Sequence, residues 1–508
     1  MNINTERRTF FMPEVNMIPT VEQPIETEFL IPEYCPDIIK ILKCEINPRI
    51  LSKNLSGNLL EIEGCAEITV IYCAEDNKIS SVITKYNFSK SLDNKNFEGG
   101  EIDISIKKGH LTCRQTATRR IEIRGSLQID VSIITKKQEE IIFDIDRADI
   151  QLLRDSIPAT TELYFNEKQL LIEDDIWLSS GKPEIKYIMR QSADPIISEC
   201  KLIGEKAVVK GIIKLDILYC SIEDKCINFS DTINFSQIIE VKTSGEDCSA
   251  SARSEICYLE IKPISSNNSE TGFNVTIKLN VSVKSFCESE IPIIKDAYST
   301  KFASNMYFNK LLFRKKLDLT NDKIIVKKTC TLNESSISEI IDLWSTINLG
   351  KSKIDNKEFT ITGNVNASLL YLKNDNSPDL LEIKFDFEYK KLVNIKDREK
   401  LKIIPNIIPT NYSYTVLSSN QIELHIELSI ETEMFNEYEC EYVNEVEISD
   451  EKLISEESII IYYCSEDENV WDISKRFSTQ IQKLKDQNNL TDDIVNSQSV
   501  LIIPRMWG

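Results

Sequence analysis

The chain has 508 residues, too many for one hydrophobic core, and 41% of them are hydrophobic. About three or four domains of roughly 100–200 residues each are expected. Lysine and arginine number 60 against 81 acidic residues, a formal charge of −21, which argues against a nucleic-acid partner and against non-specific adhesion to anionic lipid.

The chain starts MNINTERRTFFMPEVNMIP, with two arginines but no apolar run behind them, so no secretory signal is expected. No window of 18 apolar residues predicts a transmembrane helix. The 14 cysteines are scattered without a CxxC pair. Most read as reduced, half-buried apolar groups, several following strand tyrosines: Tyr72-Cys73, Tyr219-Cys220 and Tyr463-Cys464.

An internal repeat organises the chain. A glycine stands eight positions before a tyrosine three times: Gly64 and Tyr72, Gly211 and Tyr219, Gly363 and Tyr371. Each stretch alternates apolar residues and predicts a strand. A phenylalanine follows each tyrosine at +16, namely Phe88, Phe235 and Phe387. Upstream by 28 from each glycine lie Pro36, Pro183 and Ser335. After them the apolar sets Ile38, Ile41, Leu42, then Ile185, Ile188, Met189, then Ile337, Ile340, Ile341 repeat an i, i+3, i+4 spacing. That spacing predicts a short amphipathic helix before each glycine strand. A further alternating strand closes each copy, at 121–133, 273–283 and 422–431. The glycines are expected to mark a bulge or close strand packing rather than a ligand site.

The glycines are 147 residues apart (64 to 211) and then 152 (211 to 363), the size of whole domains. The expected fold is mainly β. Three tandem β-rich domains, sandwich- or barrel-like with short helices, span 1–155, 156–300 and 301–450, and a small βααβ unit spans 455–508. Linkers are expected near 150–180, 300–330 and 445–457.

The last unit reads as strand (SIIIYYC), loop, helix (VWDISKRF), turn, helix (QIQKLKDQN), loop and strand (VLIIP). Ser478 or Thr479 is the expected N-cap of the second helix. Val470-Trp471-Asp472-Ile473, Phe477, Ile481, Leu484, Asn488-Asn489, Ser497-Gln498 and Leu501-Ile502-Ile503-Pro504 follow one another as in a LysM domain, which this stretch resembles. Such domains bind N-acetylglucosamine polymers, so the resemblance implies a glycan site. The family's loop glycines are replaced here by Asp467-Glu468 and Ser497-Gln498, so the sugar-cradling loops must be built differently. If Ile460, Tyr462 and Cys464 face the core, Ile459, Ile461 and Tyr463 face outward, and Ile502 joins them from the last strand. This apolar stripe reads either as a protein-binding face or as packing against the third repeat or Met506-Trp507. Trp471 is expected to be half core, with an edge available to a partner.

Chemistry-bearing constellations are not evident. His110 and His425 stand alone in different copies, and Leu349-Gly350-Lys351-Ser352 has Ser345 where a phosphate-binding loop needs glycine. No catalytic residue, metal ligand or cofactor is assigned. Three such repeats, IPEYCPDIIKIL near the start, IPIIKDAYST (291–300) and the LysM-like end together resemble the SipL-type spore coat morphogenetic proteins, whose repeats are SPOCS domains. The resemblance implies a non-enzymatic protein of the mother-cell cytoplasm at the forespore surface. It implies binding of the coat morphogenetic ATPase, stage IV sporulation protein A, through the LysM-like unit. The expected partner-binding residues are Ile459, Ile461, Tyr463, Trp471 and Ile502. Peptidoglycan or cortex glycan binding is the alternative, and a hydrolase hidden in one repeat a third reading.

Overall fold

The computed structural model describes residues 4–97, 99–179, 181–243, 247–266, 270–317, 320–332, 337–355, 358–392, 401–453, 459–465 and 467–504. It is mainly β, as the alternation of apolar residues dictates. Each copy contains a three-stranded antiparallel meander centred on the glycine strand. These are Ile38–Ser56, Leu59–Ala74 and Ile79–Asp93, then Ile185–Ile203, Lys206–Ser221 and Cys226–Glu240, then Ile337–Asp355, Glu358–Lys373 and Pro378–Leu392. A second antiparallel sheet is built on one long strand per copy: Arg120–Ile145, Thr271–Ser299 or Gln421–Lys452. The two sheets face each other over an apolar core, as Leu60, Ile62 and Phe88 against Ile121, Ile123 and Leu127 in copy 1.

The repeated residues have one structural meaning in all copies. Gly64, Gly211 and Gly363 lie directly opposite Phe88, Phe235 and Phe387 on the neighbouring strand. An added Cβ would sit 2.1, 2.6 and 2.7 Å from the phenylalanine rings, so the ring covers the bare glycine backbone. Tyr72, Tyr219 and Tyr371 are buried. The Tyr72 and Tyr219 hydroxyls donate to the carbonyls of Pro36 (3.1 Å) and Pro183 (3.4 Å), which accounts for the fixed spacing to the prolines. Ser335, their counterpart in copy 3, lies outside the described residues. The meander turns at Asn77, Asp224 and Asn376, each left-handed with φ near 60°, a conformation that asparagine and aspartate tolerate.

The helix expected before each glycine strand is absent: Ile38–Ser56, Ile185–Ile203 and Ile337–Asp355 are strands. The i, i+3, i+4 spacing arises from paired β-bulges, which add residues 39 and 42, 186 and 189, and 338 and 341 to the strand. Each bulge shifts the period-2 alternation by one residue. Ile38 and Ile41 therefore face their own sandwich core, as do Ile185 and Ile188, and Ile337 and Ile340. Leu42, Met189 and Ile341 turn to the opposite face. There they meet one another together with Ile71, Leu218 and Leu370 in a core shared by the three copies. A third bulge lies opposite each glycine, so the Gly350-Lys351 stretch is bulged strand.

The linkers expected near 150–180 and 300–330 are also strands, Ile150–Trp177 and then Phe302–Lys316 and Thr320–Thr331. Ile150–Trp177 runs the whole length of Thr271–Ser299. Arms from all three copies project beyond the sandwiches and bury both faces. Met12 and Ile141 join Ile157, Ile291 and Ile293 and also Leu311 and Phe313 in one cluster. The next residue, Ile142, faces another, with Ile294, Val443 and Val446. Cys248 and Cys287, a cross-strand pair, form a disulfide.

Polar contacts also cross between copies. Asp342 is buried, takes Arg190 at 2.7 Å and accepts from Asn228 Nδ2. Glu45 accepts the Trp344 indole N–H, and Gln191 donates to Glu67 at 3.0 Å. Asp224 sits between Lys186 of its own copy and Lys78 of copy 1, 2.7 Å from each, and the two hold its carboxyl down to about 2.

The C-terminal unit has the strand–helix–helix–strand order. Ile460–Tyr463 pairs antiparallel with Val500–Ile503, and helices α1 (Val470–Arg476) and α2 (Ile481–Asn488) lie between them in sequence. Its core holds Cys464, Val470, Ile473, Leu484, Val495, Leu501 and Ile503. Asn469 caps α1 by accepting from Trp471 N at 2.8 Å. Gln480, not Ser478 or Thr479, occupies the cap of α2 and makes no side-chain cap bond. The Thr479 hydroxyl donates instead to Pro504 O at 2.7 Å.

Two outcomes are expected from this packing. Gly64→Ala and Gly211→Ala should each destabilise the chain by about 1–3 kcal/mol in urea unfolding. Adding Phe88→Leu to Gly64→Ala should recover part of the loss, because the three atoms nearest an added Cβ there all belong to the Phe88 ring. Arg190→Met should cost about 3–5 kcal/mol by leaving Asp342 buried without its cation, and Arg190→Met with Asp342→Leu should recover most of it.

Candidate functional site

Alternation on a two-stranded sheet sends successive side chains to opposite faces. Tyr462, Leu501 and Ile503 turn toward the helices. Ile459 (70% exposed), Ile461 (57%), Tyr463 (69%) and Ile502 (44%) lie on the outer face with Val500. The register places Ile461 opposite Ile502 and Tyr463 opposite Val500, so these side chains form one apolar patch. Val500 was missed in the sequence, although it stands two residues before Ile502 and shares its face by the same alternation.

Trp471, the fifth expected residue, is buried and not part of this patch. Its indole N–H donates to Asp296 Oδ2 at 2.9 Å, and its ring packs edge-on against Tyr298 at 5.0 Å between centroids. Lys475 Nζ lies 2.6 Å from the same carboxylate, and the Tyr298 hydroxyl donates to Thr479 O at 2.7 Å. Burial raises the Tyr298 phenol well above its ordinary value. Asp296 and Tyr298 belong to the arm of copy 2, where a bulge between Ile294 and Asp296 resets the alternation just before them. The unit is thus fixed to the arms through α1. Nothing in the sequence marked Asp296 and Tyr298 as docking residues, since Trp471 lies 175 residues away from Asp296.

The loops that would flank a sugar are tied to each other. Glu468–Asn469 pairs with Ile494–Val495, and Asp467 Oδ1 accepts from Ser497 N at 2.9 Å. Gln498 takes the left-handed backbone (φ 67°) that a glycine would adopt most readily. Elsewhere, a cavity between copies 1 and 2 is lined by Lys53, Glu101, Phe165 and Glu167. Its charges are matched internally: Lys53 reaches Glu167 at 2.8 Å, and Glu101 accepts from Phe165 N at 2.7 Å. Burial pushes the Glu101 carboxyl up. Among the described residues no group of three or more His, Cys, Asp or Glu side chains is arranged to hold a metal, and no helix is long and apolar enough to cross a membrane.

These features define a class: a β-sandwich repeat protein whose copies share cores and carry a small helical unit with an apolar outer face. Residues 37–116 and 184–264 match the family described as SipL, SPOCS domain. The two segments open on the double-bulged strands and run through the meander into the next strand, Glu101–Ala117 or Cys248–Ser265. The match supports a SipL-like family and a sporulation-related role. No curated protein and no solved structure matches the chain.

The docking geometry makes one expectation testable. Asp296→Ala with Tyr298→Phe removes the acceptor of Trp471 and Lys475 and the donor to Thr479. The C-terminal unit should separate from the arms, seen as a larger radius of gyration in small-angle scattering with unchanged circular dichroism.

Proposed function

We propose that the protein is a non-enzymatic adaptor that binds the coat morphogenetic ATPase, stage IV sporulation protein A, through its LysM-like C-terminal unit. In this reading it acts in the mother-cell cytoplasm and helps hold the coat at the forespore surface, and any nucleotide hydrolysis belongs to the partner. The observation that carries the reading is the outer face of Ile459, Ile461, Tyr463, Val500 and Ile502. Large apolar side chains clustered on one small face favour association with protein. Trp471 serves that face from behind, by holding the unit to the arm through Asp296 and Tyr298. The SPOCS match supports the sporulation context. The tied loops Asp467–Ser497 favour a protein partner over a glycan.

Full-length chains carrying Ile461→Glu or Ile502→Glu should lose about tenfold or more in affinity for the purified ATPase. The unaltered chain should not be enriched in a peptidoglycan pellet. Undiminished binding by folded Ile461→Glu and Ile502→Glu variants overturns the assignment of the face, and enrichment in the pellet favours the glycan alternative.

A further inference from the structure

The two edges of the small sheet differ. In an antiparallel pair the N–H and C=O of one residue point to the same side, and the side alternates along the strand. Ile502 turns both groups away from its partner strand and onto Asn488. Asn488 Nδ2 donates to Ile502 O at 2.8 Å, and Ile502 N donates to Asn488 Oδ1 at 2.7 Å. That edge is closed by a side chain.

Ile461 is the register partner of Ile502, so its own N–H and C=O also point away from the pair. Cys464 fixes the parity independently, because its N–H donates to Ser499 O and its C=O accepts from Gln498 N, both inward. Ile461 and Tyr463 therefore turn their backbone groups away from the pair. Among the described residues no further strand pairs with Ile460–Tyr463 on that side. Proteins blunt exposed edges with proline, lysine or other charge. The run from 459 to 463 is Ile-Ile-Ile-Tyr-Tyr and has none of these.

We propose that the edge of Ile459–Tyr463 is a template to which the partner protein adds a β-strand. The occupant is an extended segment of the partner with apolar side chains at alternate positions. Its backbone pairs with Ile461 and Tyr463, and its apolar side chains continue the face of Ile461, Tyr463 and Ile502. Main-chain pairing supplies affinity and the flanking side chains supply specificity. A second copy of this chain is a poorer occupant, since each copy carries −21 and two of them repel. This inference rests on the adaptor reading and adds the mode of recognition.

The test uses the full-length chain and the purified coat ATPase. Ile461→Pro removes the outward N–H and leaves the ladder to Val500–Ile503 intact, while Ile461→Val keeps both the amide and an apolar side chain. The valine variant should bind within about threefold of the unaltered chain and the proline variant at least about tenfold more weakly. In hydrogen exchange, the Ile461 and Tyr463 amides should exchange rapidly in the free chain and slow in the complex, whereas Ile502 should not change. Equal binding by the proline and valine variants, or amides that stay fast in a complex that forms, overturns strand addition. The adaptor reading then still stands if Ile461→Glu loses binding. If the unaltered chain does not bind the ATPase, both fall. Protection of the same amides by self-association without the ATPase assigns the edge to a second copy and also overturns the proposal.

Discussion

The structure depends on a single device: a strand that bulges twice in five residues and so presents apolar side chains to both of its faces. A regular strand entering the meander would commit Ile38, Lys40 and Leu42 to one face. The extra residues let Ile38 and Ile41 serve the sandwich and Leu42 serve the junction. Because the same device recurs at Met189 and Ile341, the equivalent residues of the three copies converge at one place. Convergence of equivalent positions requires the copies to stand around an approximate three-fold axis. An open row, as in solenoids, would bring only neighbours together.

Such closure sets a problem that the divergence of the copies answers. Three identical copies would bring three identical side chains to the axis, and like charges cannot share a buried site. Arg190 and Asp342 occupy equivalent positions, each 21 residues before its glycine, and they form the buried ion pair. Glu45 and Trp344 are likewise equivalent, each 19 residues before its glycine, and they form a hydrogen bond. The third copy, most diverged in sequence, supplies one partner to each pair. Its departures from the repeat are therefore complementary to the other copies, and they fix which copy sits beside which.

This explains what could be read from the sequence and what could not. The glycine, tyrosine and phenylalanine anchors were legible because each acts within one meander, over a short stretch of chain. The outer face of Ile459, Ile461, Tyr463 and Ile502 was legible for the same reason, since strand alternation alone defines it. The sets at 38, 41 and 42 misled because a doubled bulge and a helix turn give the same apolar spacing, and only the pairing strand distinguishes them. Residues 150–180 read as linker because the burial of their first part, at Ile150, Ile157 and Ala159, comes from packing among the arms, and only the later Leu170, Ile172 and Ile176 face their own sandwich. Asp296 and Tyr298 stand in the IPIIKDAYST segment that carries the family resemblance, but their docking role could not be read because it exists only against Trp471, Lys475 and Thr479, far along the chain.

The docking of the C-terminal unit follows from the same economy of faces. A unit of about 50 residues has few surfaces to spare. One side of its sheet is covered by its own helices, and α1 is turned onto the arm of copy 2 through Asp296 and Tyr298. Asn488 closes one edge of the sheet. Among the described residues of the sheet, the apolar outer face and the edge of Ile460–Tyr463 are left uncovered, and they adjoin each other. If this face binds a partner as proposed, it loses little orientational freedom on binding, because the unit is already fixed to the arm of copy 2. In the adaptor reading proposed above, the repeats serve as the rigid body that holds this small apolar surface in place.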